Sequence, residues 1–153
     1  MQLRISDYLK PKVIMMKLKQ QEKIAVLKEL VEHLVKNNLV KNGEEFINAL
    51  AKRENLESTG IGNGIAIPHA RTNTVEDLVL AFARSSEGVD FSAIDGKPSH
   101  LIFLIASPED KKSEYIMALA KLSRLLRRES VRKMLMDAES PEEVLKIVKE
   151  NED

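Results

Sequence analysis

Apolar residues recur along this chain with two different periods, and the changes between them predict its elements. After Pro11 the run VIMMKL, Val13 to Leu18, has the composition of a first strand. From Gln21 to Lys36, Ile24, Leu27, Leu30, Val31, Leu34 and Val35 return at spacings of three and four with charges between them. That period predicts a helix with one buried face. KNNLVKNG interrupts it, and EEFINALAKRENL resumes a helical pattern with Phe46, Ile47 and Leu50 turned inward.

The pattern then shortens. LVLAFAR (Leu78 to Arg84) and HLIFLIA (His100 to Ala106) are nearly continuous apolar runs, as expected of central strands covered on both faces. Between them, Glu87-Gly88 and Asp95-Gly96 with Pro98 carry turn chemistry, and Pro108 ends the second run. The tail is helical: Ile116, Leu119, Leu122 and Leu126 share one face, and Val131, Leu135 and Met136 mark a shorter element. The last helix opens on SPEE, with Ser140 at the N-cap, Pro141 at the first helical position and Glu143 closing a capping box; Val144, Leu145 and Val148 form its buried side. The order β–α–α–β–β–β–α–α–α predicts an α/β domain, a sheet covered by helices on both faces. No repeat or long linker divides residues 1–153, so one domain is expected.

Composition narrows the function. Hydrophobic residues make up 43% and charged residues 31%, a globular balance. Lys+Arg and Asp+Glu are both 24, so net charge is zero and no long-range attraction favours nucleic acid or an anionic membrane. Without cysteine there is no disulfide, thiolate nucleophile or Cys-type zinc site. The opening MQLRISDYLKPK has charges where a signal peptide needs an apolar run, and no segment is long and apolar enough to span a bilayer. A cytoplasmic protein without membrane insertion is expected.

The stretch that looks chemical is STGIGNGIAIPHAR, Ser58 to Arg71. Its GxGxG spacing is not a dinucleotide fingerprint, and no P-loop Gly-Lys-Ser/Thr follows; an irregular loop needing positive φ fits better. Ile65 and Ile67 point into a core while Gly64 and Ala66 leave the other face bare. Pro68 cannot donate to a ladder, so the strand is expected to stop there and hold His69 at its tip. Small Ala70 would leave room for a visitor, and Arg53 and Arg71 bracket the histidine as candidate anion ligands.

The other chemistry-bearing residues have plainer readings. His33 is expected at the boundary of a helix face and His100 at a sheet rim. No two histidines have metal-ligand spacing, and HExxH and GxSxG are absent, so no metal site is predicted. SRLLRRESVRK, Ser123 to Lys133, is a solvated helical face or else a docking surface for an acidic partner.

RENLESTGIGNGIAIPHA resembles the active-site signature of the fructose/mannitol-type enzyme IIA domains of the bacterial phosphoenolpyruvate-dependent sugar phosphotransferase system, and of their nitrogen-regulatory relatives. DFSAIDGKP, LIFLIASPED and the helical tail extend the resemblance over almost the whole chain. It implies a mixed β-sheet sandwiched between helical layers, a three-layer α/β/α fold. It also implies a phosphoryl carrier in which His69 accepts the phosphoryl group from the phosphocarrier HPr. The IIB component receives it, a separate IIC component binds the sugar, and no metal or organic cofactor takes part. Arg53 matches the family's phosphoryl-holding arginine. Tyr115, in SEYIMAL, stands where the family commonly has a second histidine. Its phenol can donate a hydrogen bond but cannot become a cation.

One ring nitrogen of His69 has to be fixed by a hydrogen bond, with a backbone carbonyl as the expected acceptor. Ser58, Thr59, Gly60 N–H and Arg71 complete the expected phosphate ligands, and a helix starting near Ser113 would add partial positive charge if it faced His69. Sugar transport, regulation by phosphorylation-dependent protein binding, and binding without phosphoryl transfer are the three functions this resemblance leaves open.

Overall fold

The computed structural model describes residues 3–153. Two long strands carry the sheet: β5 (Val79–Val89) and β6 (Ser99–Ser107) pair antiparallel, with Phe82 opposite Phe103. Those two rings meet at 4.8 Å between centroids. Leu101 to Ala106 are all buried, the double coverage that their unbroken apolar run required. On one side β1 (Ile14–Met15) runs parallel to β5. On the other, β6 pairs in parallel with β3 (Ile65–Ala66) and then with β4 (His69–Arg71), while β2 (Gly60–Gly62) pairs antiparallel with β3. The sheet is therefore mixed and six-stranded.

Helices cover both faces. After the short α1 (Ile5–Tyr8), α2 (Lys23–Lys36) and α3 (Gly43–Leu56) pack on each other and reach β5 and β4. The other group is α4 (Lys112–Leu126), α5 (Glu129–Asp137) and α6 (Pro141–Asn151), which pack in sequence, with α1 against α4 and α6. Caps set their starts. Glu22 accepts from Ile24 and Ala25 N–H ahead of α2, and Asn42 from Glu45 N–H ahead of α3. Ser140 accepts from Glu143 N–H at 3.1 Å. The Glu143 carboxylate reaches back to Glu139 N–H, one residue outside the expected capping box.

Several expectations shift. β1 keeps only two residues of the expected Val13–Leu18: a 3-10 turn over Pro11–Val13 takes its start, and a bend at Met16 ends it. β5 runs on to Val89 through a register shift after Arg84, so Glu87-Gly88 lies within the strand rather than ending it. In α4 the buried face is Ala118, Leu122, Leu125 and Leu126; Leu119 is half-buried and Ile116 is 52% exposed. Met136 likewise faces out while Val131 and Leu135 are buried. In α6, Ile147 is buried more deeply than the half-buried Leu145. Among the described residues, no helix is long and apolar enough to cross a membrane.

One side chain ties sheet to helix. Arg84 of β5 donates through Nη1 to the carbonyls of Leu135, Met136 and Ala138, at 3.0, 3.1 and 2.6 Å, where α5 leaves its last acceptors open. Arg84→Leu should cost about 1–3 kcal/mol by leaving these acceptors short of a donor. Denaturant unfolding reads this directly, and an unchanged midpoint contradicts the assignment.

Candidate functional site

The site begins with an interruption. Every paired residue of β3 and β4 is offset from its β6 partner by the same number, from Ile65 opposite Leu101 to Arg71 opposite Ser107. The two are one line of chain, broken for two residues. Pro68 has no N–H, yet its carbonyl accepts from Ile105 N–H at 3.0 Å, so pairing resumes instead of stopping. His69 thus opens β4 rather than ending a strand, and Ala70 is buried on the opposite side of the pleat, where it makes no room beside the ring. Ala66 is also fully buried, so the face expected to be bare is covered.

Gly64 and Pro68 turn their carbonyls to β6, so Ile67, by the alternation of a parallel ladder, turns its own backbone groups the other way. Its N–H donates to Thr59 C=O at 2.9 Å. Its carbonyl receives the imidazole of His69, with Nδ1 at 2.6 Å. A carbonyl only accepts, so Nδ1 carries the proton and Nε2 keeps its lone pair. Nε2 makes no hydrogen bond and is not wholly enclosed: Ser99 Oγ is the one fully buried side-chain N or O atom without a partner among the described residues. The ring as a whole is only 9% exposed, so this free nitrogen sits at the mouth of an otherwise enclosed side chain.

Tyr115 and Arg53 lie near the ring, and Arg71 lies near Tyr115. Tyr115, in the first turn of α4, places its ring 5.8 Å from the imidazole, tilted by 52°. Arg53, in the last turn of α3, lies close enough to disfavour charge on the ring, and with Arg71 it favours ionisation of the Tyr115 phenol. Burial outweighs both cations there and holds the phenol above its ordinary range, so it is neutral. Arg53 donates through Nη1 to Glu57 C=O at 2.6 Å, which fixes the guanidinium at the helix end. Arg71 is exposed at the end of β4. The helix behind Tyr115 starts at Lys112, one residue before the expected Ser113.

The loop hydroxyls are engaged elsewhere. Ser58 Oγ donates to Phe91 C=O and accepts from Gly60 N–H at 3.0 Å. Thr59 is buried, and both its hydroxyl and its N–H donate to the Glu54 carboxylate. Gly60 is dictated by packing: a Cβ there would lie 3.0 Å from the Cβ atoms of Phe91 and Ala93. Positive φ is needed instead at Gly62 and Gly64, at +90° and +77°.

Glu54 itself is a buried carboxylate that sequence reading passed over, bound also by Lys23 Nζ at 3.2 Å. It falls four residues after Leu50 and eight after Phe46, a charge on the buried stripe of α3, and that spacing was the available signal. The remaining candidates lie outside this cluster. His33 contacts Lys12 C=O and His100 contacts Ser85 C=O, each through one ring nitrogen. In the basic run, Arg132 caps the carbonyls of Leu126 and Arg127, and Arg128 binds Asn151.

Residues 7–151 match the family described as phosphoenolpyruvate-dependent sugar phosphotransferase system, EIIA 2. The chain belongs to that family. Enzyme IIA domains are phosphotransfer proteins, and this one is 39% identical over 150 residues to the fructose-specific EIIABC component of Bacillus subtilis (strain 168). That alignment takes in 98% of this chain but 24% of the relative, so the chain spans about a quarter of the relative's length. Among solved structures it resembles the nitrogen regulatory protein IIA-Ntr of Neisseria meningitidis, with a TM-score of 0.88 and 35% identity over 94% of this chain and 98% of that one. It also resembles the Escherichia coli mannitol enzyme IIA solved in complex with phosphorylated enzyme IIB: TM-score 0.79, 27% identity, 93% and 97% coverage. The family's enzyme IIA fold, a mixed sheet between helical layers, is the one described above.

Burial is the largest influence on His69 and lowers its pKa, and Arg53 adds to this; the Ile67 hydrogen bond and Glu54 act the other way. The titration midpoint of His69, followed by NMR of the ring protons, should therefore lie below about 6.5. The sign for stability follows. As pH falls below about 6.5 the unfolded chain takes up the proton first, so stability present above that pH is lost down to the folded midpoint. A midpoint at or above the ordinary value contradicts this environment.

Proposed function

We propose that the protein is a phosphohistidine carrier of the sugar phosphotransferase system: His69 Nε2 accepts a phosphoryl group from phosphorylated HPr and passes it to a IIB component for sugar import. One observation carries this reading. Nδ1 is committed to the Ile67 carbonyl while Nε2 is unbonded and not wholly enclosed, so the ring has one nucleophilic atom available. Depressed basicity keeps that nitrogen unprotonated near neutral pH, so no general base is required.

The step balances without moving a proton. The Nε2 lone pair forms the new P–N bond as the P–N bond to the donor imidazole breaks, and the donor nitrogen recovers its electron pair. Nδ1 keeps its proton throughout. As the accepting ring gains positive character, its hydrogen bond to Ile67 strengthens. The transition state is loose and spreads negative charge over three equatorial oxygens, so fixed cations and donors at the mouth do the catalytic work. Arg53 and Arg71 supply charge, and the neutral Tyr115 hydroxyl supplies a donor. Ser58, Thr59 and Gly60 act through the loop shape they hold, since the N–H groups of Thr59 and Gly60 are engaged within the protein like the two hydroxyls. Exposed Ile116 and Met117, next to Tyr115, offer an apolar edge for a transient protein partner.

The likeness to the Neisseria nitrogen regulatory protein supports a second reading, in which phosphorylation of the same His69 controls binding of a target protein. The two readings share the first step and differ in the second.

Incubation with phosphoenolpyruvate, enzyme I and HPr should add one phosphoryl group at His69 Nε2, seen by mass and by phosphorus–nitrogen NMR. His69→Ala should take none, and Arg53→Ala should slow uptake about 100-fold with the fold intact. Label that persists in His69→Ala, or on Nδ1, overturns the proposal. Onward transfer to a IIB domain supports transport; phosphorylation-dependent capture of another protein, without onward transfer, supports regulation.

A further inference from the structure

A line of hydrogen bonds runs from the helical layer to the imidazole. Lys23 of α2 pairs with Glu54 of α3 at 3.2 Å, and Lys23 Nζ also lies 5.7 Å from the centre of the Phe91 ring. Glu54 takes the Thr59 N–H, at 3.2 Å to Oε1, and the Thr59 hydroxyl. Thr59 C=O takes Ile67 N–H at 2.9 Å, and Ile67 C=O takes His69 Nδ1 at 2.6 Å. The Ile67 carbonyl is the sensitive member, because the donor that would pair with it across the sheet, Thr59 N–H, is held by Glu54. Only the Thr59 link holds the Ile67 peptide from the side away from β6.

We propose that Glu54, clamped by Lys23, is the positioning residue for His69: by binding both Thr59 donors it fixes the Ile67 peptide, and with it the ring tautomer that leaves Nε2 free. Glu54 touches neither the ring nitrogens nor an incoming group. Beyond the direct pull of its charge on the ring, its effect runs through two backbone carbonyls, and a carboxylate suits the task because its two oxygens take three donors at once. A neutral apolar residue at position 54 would satisfy the helix packing but release Thr59. The catalytic meaning of this rests on the phosphoryl-carrier reading; the tautomer itself does not.

The test is nitrogen-15 NMR of the His69 ring in the full chain, without any donor, in wild type, Glu54→Ala, Glu54→Gln, Thr59→Val and Thr59→Ser. Wild type and Thr59→Ser should show one neutral tautomer with the proton on Nδ1. Glu54→Ala and Thr59→Val should show exchange between both tautomers, and Glu54→Gln, which keeps an acceptor oxygen, should recover most of the wild-type signal. Where phosphoryl uptake from HPr is measured alongside, Glu54→Ala should lose up to roughly 100-fold in rate at saturating donor, the scale of a displaced reacting group. A single Nδ1–H tautomer in Glu54→Ala overturns the proposal, even if the rate falls. If Glu54→Ala does not fold, Thr59→Val decides, and an unchanged tautomer there overturns it. Wild-type protein that takes no phosphoryl group, with variants that still lose the tautomer, removes the carrier reading and leaves the positioning role standing.

Discussion

The hydrogen bond from His69 to the carbonyl two residues earlier is the constraint on which the site depends. A free imidazole offers two nitrogens, exchanges its proton between them and rotates. This one cannot, because an acceptor-only group holds Nδ1 at 2.6 Å. The acceptor is available because the ladder on the β2 side is incomplete: Ile67 N–H pairs with Thr59 C=O, but Thr59 N–H goes to Glu54 and leaves the Ile67 carbonyl to the imidazole. A continuous sheet would have used the Ile67 carbonyl in its own ladder. The flaw in the sheet and the order in the ring are one feature.

Electrostatics around the ring divide the labour. Burial and Arg53 keep His69 neutral, so its nucleophilic lone pair is present at physiological pH. Tyr115 adds a polar group at the mouth without adding a second charge, since burial keeps the phenol un-ionised against the pull of Arg53 and Arg71. With a tyrosine in that place, a single ring changes its charge in the working pH range. A histidine at position 115 would give the mouth two such rings and couple their titrations.

Much of the fold could be read from periodicity, and the exceptions have physical causes. β5 and β6 are long apolar runs with strand composition, and α2 has a clear stripe from Ile24 to Leu34. α1 has four residues, too few to show a period. The face of α4 was misplaced because Ile116 belongs to the surface beside the site, where an apolar side chain need not be buried. The segment from Gly60 to Arg71 reads in sequence as a glycine-rich loop and a short strand that stops at Pro68, and only the shared partner β6 shows that pairing resumes beyond it. Within the site, His69 and Arg53 were visible through the motif. The engagements of Ser58 and Thr59 were not, because their partners Phe91 and Glu54 meet them only in the folded chain.

The constant offset between β3, β4 and β6 has an evolutionary corollary. Side chains on an extended segment change sides with every residue, so the two residues that bridge Ala66 and His69 act as a ruler. Their identities can drift as long as one of them withholds a donor. Their number cannot, since a single inserted residue would turn the imidazole into the hydrophobic interior and bring its neighbour to the mouth. Selection on this segment should therefore tolerate substitution far more readily than any change of length.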